Sequence, residues 1–444
     1  MLSSPRLDTR FRLSEPVARA LAAEFGTPLY VLDERHFRAR IRAYRSALEA
    51  SYPRTEVAFA SKANGTLAVL AIAHAEGCLV DVASEGELRG ALAAGVPASR
   101  CHLHGNNKSL GELRFALASG IGQIVIDHFG EIEAVHTLAR ELGVRPECVL
   151  RLAPGVDPVT HHKISTGQAD TKFGFNIADG SAERALARCL ELGLDVAGFH
   201  CHVGSQLLDP EAQRSGGETL ARFAARMKAE LKYETRVLNV GGGLGVRYLD
   251  DHEPMDVQPY CQLVAGAVRA GLEGSGLEPL LVHEPGRSLV AESGVTLYTV
   301  GVVKTVPIGE GRTRTYAGVD GGLSENPRPA LYGAKYTVER VARTPDRPGV
   351  ALPEAPFTVS GKHCETDQLF EDVSLPADLA AGDLLQVLCT GAYNASMASN
   401  YNRYPRPATV LLRPDGTRTV VQRRDAWDEM FARETVPDDL ESPA

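Results

Sequence analysis

The chain has no Cys-x-x-Cys pair. Its eight cysteines, Cys78, Cys101, Cys148, Cys189, Cys201, Cys261, Cys364 and Cys389, are scattered along the sequence. That spacing argues against a disulfide framework or a zinc site, so no metal is expected and the thiols suit a reducing compartment. No apolar run approaches the length that crosses a bilayer. Residues 1–12 carry arginines but no apolar stretch of the kind a secretory leader has. The expectation is a cytoplasmic protein with no membrane partner. Positive charge is not in surplus either: the net charge of -9 argues against a nucleic-acid partner. No Gly-x-Gly-x-x-Gly follows an early strand, which makes a doubly wound open sheet the second choice of fold.

What is present is enough for two domains: 444 residues, 44% hydrophobic and 23% charged. Strand-like apolar runs at 57–61, 79–83, 101–104, 123–127, 148–153, 196–203, 237–240 and 280–284 alternate with helical stretches. The helical stretches lie at 36–50, 66–76, 87–94, 110–119, 131–142, 182–192, 219–231 and 259–272, and most end in glycine. Eight strands alternating with helices predict a (β/α)8 TIM barrel over residues 35–286. Short β-rich runs at 295–306, 357–360, 384–389, 409–412 and 419–422 predict a second, mainly β domain over 287–430. The run at 28–33 precedes the barrel, so the 1–34 segment is expected to lend a strand to the β-domain. Residues 1–10 and 434–444 read as disordered, within a tail that starts at 431. The connection 154–180 is too long and polar for a plain barrel loop, which suggests function.

Chemistry-bearing residues gather at the C-terminal ends of the predicted barrel strands, where barrel active sites are built. Lys62 ends the first; its amine at the mouth of a buried strand suits a Schiff base with a carbonyl cofactor, and burial should depress its charged form. The alternative is a surface lysine just past a strand. His200, His202 and Ser205 end the sixth strand. Alternation puts both histidines on one face, so the pattern alone does not say which would stack on a flat ring and which is core. Gly241, Gly242 and Gly243 end the seventh, as a phosphate cradle or simply a tight turn. Glu284, Gly286 and Arg287 end the eighth. A carboxylate there could keep a pyridine nitrogen protonated, or could merely pair with an arginine.

Together these motifs resemble the fold-type-III pyridoxal-phosphate decarboxylases, in particular the diaminopimelate-decarboxylase branch. The resemblance runs over residues 25–425. It rests on Lys62, Asp81-Val82-Ala83-Ser84, His104-Gly105-Asn106-Asn107-Lys108-Ser109, Ile164-Ser165-Thr166-Gly167 with Lys172-Phe173-Gly174, His202-Val203-Gly204-Ser205, the glycine triplet and Glu284–Arg287. Further on it rests on Arg328-Pro329-Ala330-Leu331-Tyr332, Cys364-Glu365, Gly391-Ala392-Tyr393 and Ser396–Asn402. The resemblance implies that Lys62 holds pyridoxal 5'-phosphate, His202 stacks on its ring and Glu284 meets the pyridine nitrogen. It places Ser205, the glycines Gly241, Gly242, Gly243 and Gly286, Arg287 and Tyr393 around the cofactor. Arg287, Arg328, Tyr332 and Tyr393 then meet the substrate, while Glu365 reads its distal amine. Cys364 is implied as proton donor, reaching the site from the other subunit of a homodimer. Three positions depart from the family pattern: Cys364-Glu365-Thr366-Asp367 for Cys-Glu-Ser-(Gly)-Asp, 322–327 before Arg328, and Tyr336 where histidine is frequent.

The implied reaction is conversion of meso-2,6-diaminopimelate to L-lysine and carbon dioxide, the last step of lysine biosynthesis. The alternatives are a decarboxylase for ornithine, lysine or carboxynorspermidine, or a non-catalytic regulatory relative.

Overall fold

The computed structural model describes residues 10–155, 172–344, 353–366 and 368–440. Strand β1 (Leu29–Asp33) precedes eight parallel strands: β2 (Thr55–Ala60), β3 (Leu79–Val82), β4 (Cys101–Leu103), β5 (Gln123–Ile126), β6 (Glu147–Ala153), β8 (Asp195–His200), β9 (Val237–Asn239) and β10 (Leu280–His283). A two-residue strand, β7 (Phe175–Asn176), hangs on the edge of β6. Pairing runs β5-β4-β3-β2-β10-β9-β8-β6, and β5 also pairs with β6, so the sheet closes. This is the expected (β/α)8 barrel, with all eight strands where the apolar runs predict them.

Strand alternation decides what fills the barrel. Ala58, Leu79, Val125, Val149, Ala197, Val237 and Val282 form one small apolar cluster, whereas neighbours such as Val57 and Phe59 join the larger core. Side chains capping the helix starts set the turns at the barrel mouth. Ser84 accepts from the Glu87 amide, and Ser109 and Glu112 make a reciprocal capping box.

The second sheet holds β1 with β11 (Gly294–Gly309), β12 (Arg312–Val319), β13 (Val338–Ala342), β14 (Glu354–Ser360), β15 (Phe370–Pro376), β16 (Leu384–Leu388), β17 (Ala408–Leu412) and β18 (Arg418–Gln422). As expected from its position ahead of the barrel, β1 belongs here. It lies between β11, antiparallel with Leu29 opposite Leu297, and β17, parallel with Leu29 opposite Ala408. Four strands, β7 beside the barrel and β12, β13 and β15 in this sheet, and the helix Glu15–Phe25 go beyond the sequence reading. Residue 10 is not disordered as expected. Arg10 is buried and donates to Thr337 Oγ1 (2.8 Å) and Asp250 Oδ1 (2.5 Å), because the segment before the first helix packs across both units. Toward the other end, Arg403 pairs with Glu434 at 2.7 Å. Of the long connection, 156–171 lies outside the described residues, and with it Ile164-Ser165-Thr166-Gly167. Among the described residues no helix is long and apolar enough to cross a membrane.

Candidate active site

The strand β2 ends at Ala60 and passes into a tight turn, Ser61–Ala63, that carries Lys62. Every neighbour of that lysine is fastened. Ser61 Oγ donates to Glu87 Oε2 (2.8 Å), which also accepts from the Ala83 amide (2.7 Å). Asn64 Nδ2 donates to the Gly391 carbonyl (2.9 Å), and the Tyr393 amide donates to the Ala63 carbonyl (2.7 Å). The turn is thus pinned from the barrel on one side and from the 391–393 segment on the other.

Lys62 faces a cavity of about 410 Å3 at the C-terminal end of the barrel. Eleven of the fourteen residues expected at the site line it: Lys62, His202, Ser205, Gly242, Gly243, Glu284, Gly286, Arg287, Arg328, Tyr332 and Tyr393. A larger groove, about 940 Å3, runs along Tyr336–Arg340 and Phe370–Pro376. It lies on the second sheet, away from the lysine.

Gly241 stands behind the cavity, where its carbonyl accepts from the Glu284 amide at 2.8 Å. The triplet admits no side chains. A Cβ on Gly242 would lie 2.2 Å from the Glu284 carbonyl oxygen. Gly241 (φ +68°) and Gly243 (φ +149°) adopt conformations that favour glycine. The Gly242 and Gly243 amides donate to no described residue, so two N–H groups remain for an anion in the cavity.

Glu284 is buried and in close polar contact with three side chains. Asn239 Nδ2 donates to Oε1 at 2.6 Å, His104 Nε2 lies 2.9 Å from Oε1, and His200 Nε2 lies 3.1 Å from Oε2. Burial would raise its pKa, but the two histidines outweigh that and hold it well below the usual range. Among the described residues no arginine stands within ion-pair distance, which removes the arginine-pairing alternative. The two strand histidines are also told apart. His200 is buried against Glu284, and burial lowers its pKa to about 4. His202 is partly open to the cavity and leans on Gly241.

The expected depression of the Lys62 amine is not found. Burial does lower it, but Asp81, Tyr393 and Glu284 outweigh burial, and its pKa sits above the ordinary value. Asp81 is itself pushed up by burial to about 6, despite His104 nearby. Arg151, buried, packs its guanidinium 4.1 Å from the Phe173 ring centre; both line the cavity.

At the other side of the cavity lie two buried guanidiniums. Arg287 donates to Ser205 Oγ (3.0 Å) and to the Tyr248 hydroxyl (2.6 Å). Arg328 donates to the same hydroxyl (3.1 Å) and to Tyr336. Among the described residues neither has a carboxylate within ion-pair distance.

Cys364 and Glu365 are not brought to this cavity. Cys364 is exposed with its amide held by Asn402 Oδ1 (3.1 Å), and Glu365 accepts from the Tyr401 hydroxyl. Sequence reasoning in turn gave no site role to His104, Asn239, Arg151 and Tyr248. Asn239 could have been found two residues before the triplet, on the strand that delivers it. Tyr248 and Arg151 carry no local signal, because only the folded barrel brings them to their partners.

The donors present fit a phosphorylated pyridine aldehyde: a lysine, a buried carboxylate, a histidine on the cavity wall and free amides with a serine and an arginine. Residues 34–291 match the family of pyridoxal-dependent decarboxylases, over its pyridoxal binding domain. The chain is 42% identical to the diaminopimelate decarboxylase of Bacillus subtilis (strain 168), over 92% of each chain. Its fold superposes on that of a diaminopimelate decarboxylase from M. jannaschii with a TM-score of 0.88, at 31% identity over 98% of each chain. A Helicobacter pylori diaminopimelate decarboxylase solved with L-lysine gives 0.82, at 31% identity over 93% of this chain and 98% of that one. With a barrel-mouth lysine, its carboxylate and its glycine cradle in place, the chain belongs to the diaminopimelate decarboxylase family of pyridoxal-phosphate-dependent carboxy-lyases.

Proposed function

We infer that this cavity binds pyridoxal 5'-phosphate and meso-2,6-diaminopimelate and releases L-lysine and carbon dioxide, the last step of lysine biosynthesis. The carrying observation is the pair Arg287 and Arg328, two buried cations without a carboxylate partner among the described residues. Burying a charge costs several kcal/mol unless it is paired. A substrate bearing a second carboxylate pairs them; ornithine or lysine, whose one carboxylate is the group to be lost, would offer these cations only an ammonium.

Lys62 would hold the cofactor covalently through its amine. His202 would lie on the ring, and Glu284, kept ionised by His104 and His200, would hold a proton at the ring nitrogen. The free amides of Gly242 and Gly243, with Gly286, Ser205 and Tyr393, would take the phosphate; Arg287 would border the cofactor through its hydrogen bond to Ser205, while Gly241 fixes Glu284 from behind. When bound, the cofactor supplies a carbonyl for attachment and a ring that accepts the electron pair left as carbon dioxide departs. Arg287, Arg328 and Tyr332 would grip the carboxylate that is retained, so the other one is presented beside Lys62. Cys364 would return a proton to the carbon that lost carbon dioxide, and Glu365 would pair with the distal amine. Both are exposed and away from the cavity of their own chain, which supports their arriving from a second copy in a homodimer. On this reading 35–286 is the cofactor-binding unit and 287–430 the unit that completes it, with 1–34 and 431–444 flanking them, in a cytoplasmic enzyme.

The test is carbon dioxide release from a panel of amino acids, with wild type and Arg328→Lys. Arg328→Lys keeps the charge and loses the planar fork. It should lower kcat/KM for meso-diaminopimelate by about 10- to 100-fold and leave any carbon dioxide release from lysine unchanged. An unchanged ratio between the two substrates would count against the carboxylate role.

A further inference from the structure

We propose that Tyr248 is a positioning residue that makes Arg287 and Arg328 act as one clamp for the substrate's retained carboxylate; this rests on the carboxylate role given to those arginines above. Tyr248 is buried and does not line the cavity; the two arginines do. Its hydroxyl oxygen is the acceptor both guanidiniums share, 2.6 Å from Arg287 Nη1 and 3.1 Å from Arg328 Nη1. The face of its ring meets them too, with guanidinium carbons 5.7 and 5.2 Å from the ring centre. Two cations in a desolvated site repel each other. A hydroxyl oxygen with acceptor capacity for both offsets that repulsion and, unlike a carboxylate, leaves the pair open to an incoming anion. A carboxylate in place of the phenol would neutralise the clamp, and an apolar side chain would let the arginines splay.

The phenol is itself held rigidly. Its backbone carbonyl accepts from the Thr337 amide (3.1 Å) and the Thr337 hydroxyl (2.8 Å). Arg10 in turn donates to Thr337 Oγ1 at 2.8 Å. The Tyr248 ring packs edge-on against Tyr336, with ring centres 5.1 Å apart. So the spacing of the two arginines is set by a residue of the barrel loop whose backbone is fixed from the second sheet.

The test is Tyr248→Phe in the holoenzyme, which keeps the ring and removes only the shared acceptor. Two inhibitors differ by the carboxylate alone: L-lysine, which retains it, and 1,5-diaminopentane, which does not. The inhibition constant of lysine should rise about tenfold, and KM for meso-diaminopimelate with it, while kcat stays within about threefold. The constant for 1,5-diaminopentane should change less than twofold. Equal changes for both inhibitors, or none, would overturn the proposal, as would loss of the cofactor's visible absorbance. Arg328→Ala separates the two levels. If it too leaves the lysine-to-diaminopentane ratio unchanged, the carboxylate role of the arginines fails. If it collapses the ratio and Tyr248→Phe does not, only the role of Tyr248 falls.

Discussion

The amide of Tyr393 donates to the carbonyl of Ala63 at 2.7 Å, one residue beyond Lys62. Tyr393 adopts a positive φ of 62° and its ring lies 4.6 Å from the Arg287 guanidinium carbon. The segment that follows β16 of the second sheet therefore touches both the lysine turn and the anion-binding side. Neither unit forms this site by itself.

Lys62→Ala should abolish turnover and leave the thermal unfolding curve close to wild type. The side chain faces the cavity, and the barrel core comes from the apolar strand residues. Borohydride reduction of the wild-type holoenzyme followed by peptide mass mapping locates the attachment. A label on any other lysine would sink the assignment.

Gly242→Ala should cost stability as well as cofactor affinity. The added methyl would press on the Glu284 carbonyl oxygen, and overpacking of this kind costs about 1–3 kcal/mol. The melting temperature of the cofactor-free protein should fall, and titration with pyridoxal phosphate should show weaker binding. Wild-type values for both would refute the cradle.

Asp81→Asn should make Lys62 easier to deprotonate. Burial lowers the amine's pKa and Asp81 is the leading influence that raises it. Uptake of pyridoxal phosphate by the cofactor-free variant should therefore shift its pH midpoint downward, followed by absorbance. Asp81 has a pKa of about 6, so wild type carries the charge above that pH and loses it below. The two proteins should differ above pH 6 and converge beneath it. A midpoint that stays put or moves upward contradicts the role.

Lys62→Ala and Cys364→Ala, each inactive alone, should complement on mixing. If Cys364 serves the partner's cavity, a mixed dimer holds one intact site. Random exchange then restores about a quarter of wild-type sites, since about half the dimers are mixed. No recovery, with exchange confirmed by native mass spectrometry, would falsify the shared site.

The barrel was legible because its strands carry apolar runs such as 124–126, buried on both faces and separated by glycine-terminated helices. In the second sheet β15 reads Phe-Glu-Asp-Val-Ser-Leu-Pro at a sheet edge, and β12 begins Arg-Thr-Arg-Thr. Such polar strands form through pairing with neighbours that local pattern does not reveal. The helix Glu15–Phe25 carries Pro16 in its first turn and Gly26 after its end, a local signal weaker than the strand pattern. At the site, side chains on strand ends were recognisable because motif and position coincide. The rise of the Lys62 pKa was not, because it depends on carboxylates from β3 and the end of β10 that only the closed barrel brings near.

The place of β1 between β11 and β17 sets the order of assembly. Leu29 must wait for Ala408, nearly the whole length of the chain later, before its parallel edge is paired. Pairings this distant in sequence carry a large loop-closure entropy and form late. During synthesis the barrel strands can associate as they emerge, while β1 stays exposed as an unpaired apolar ribbon. Because the 391–393 segment that clamps the Lys62 turn lies in that same late-made stretch, a nascent or truncated chain carries a barrel without a competent lysine pocket, and a sticky strand in need of chaperone cover.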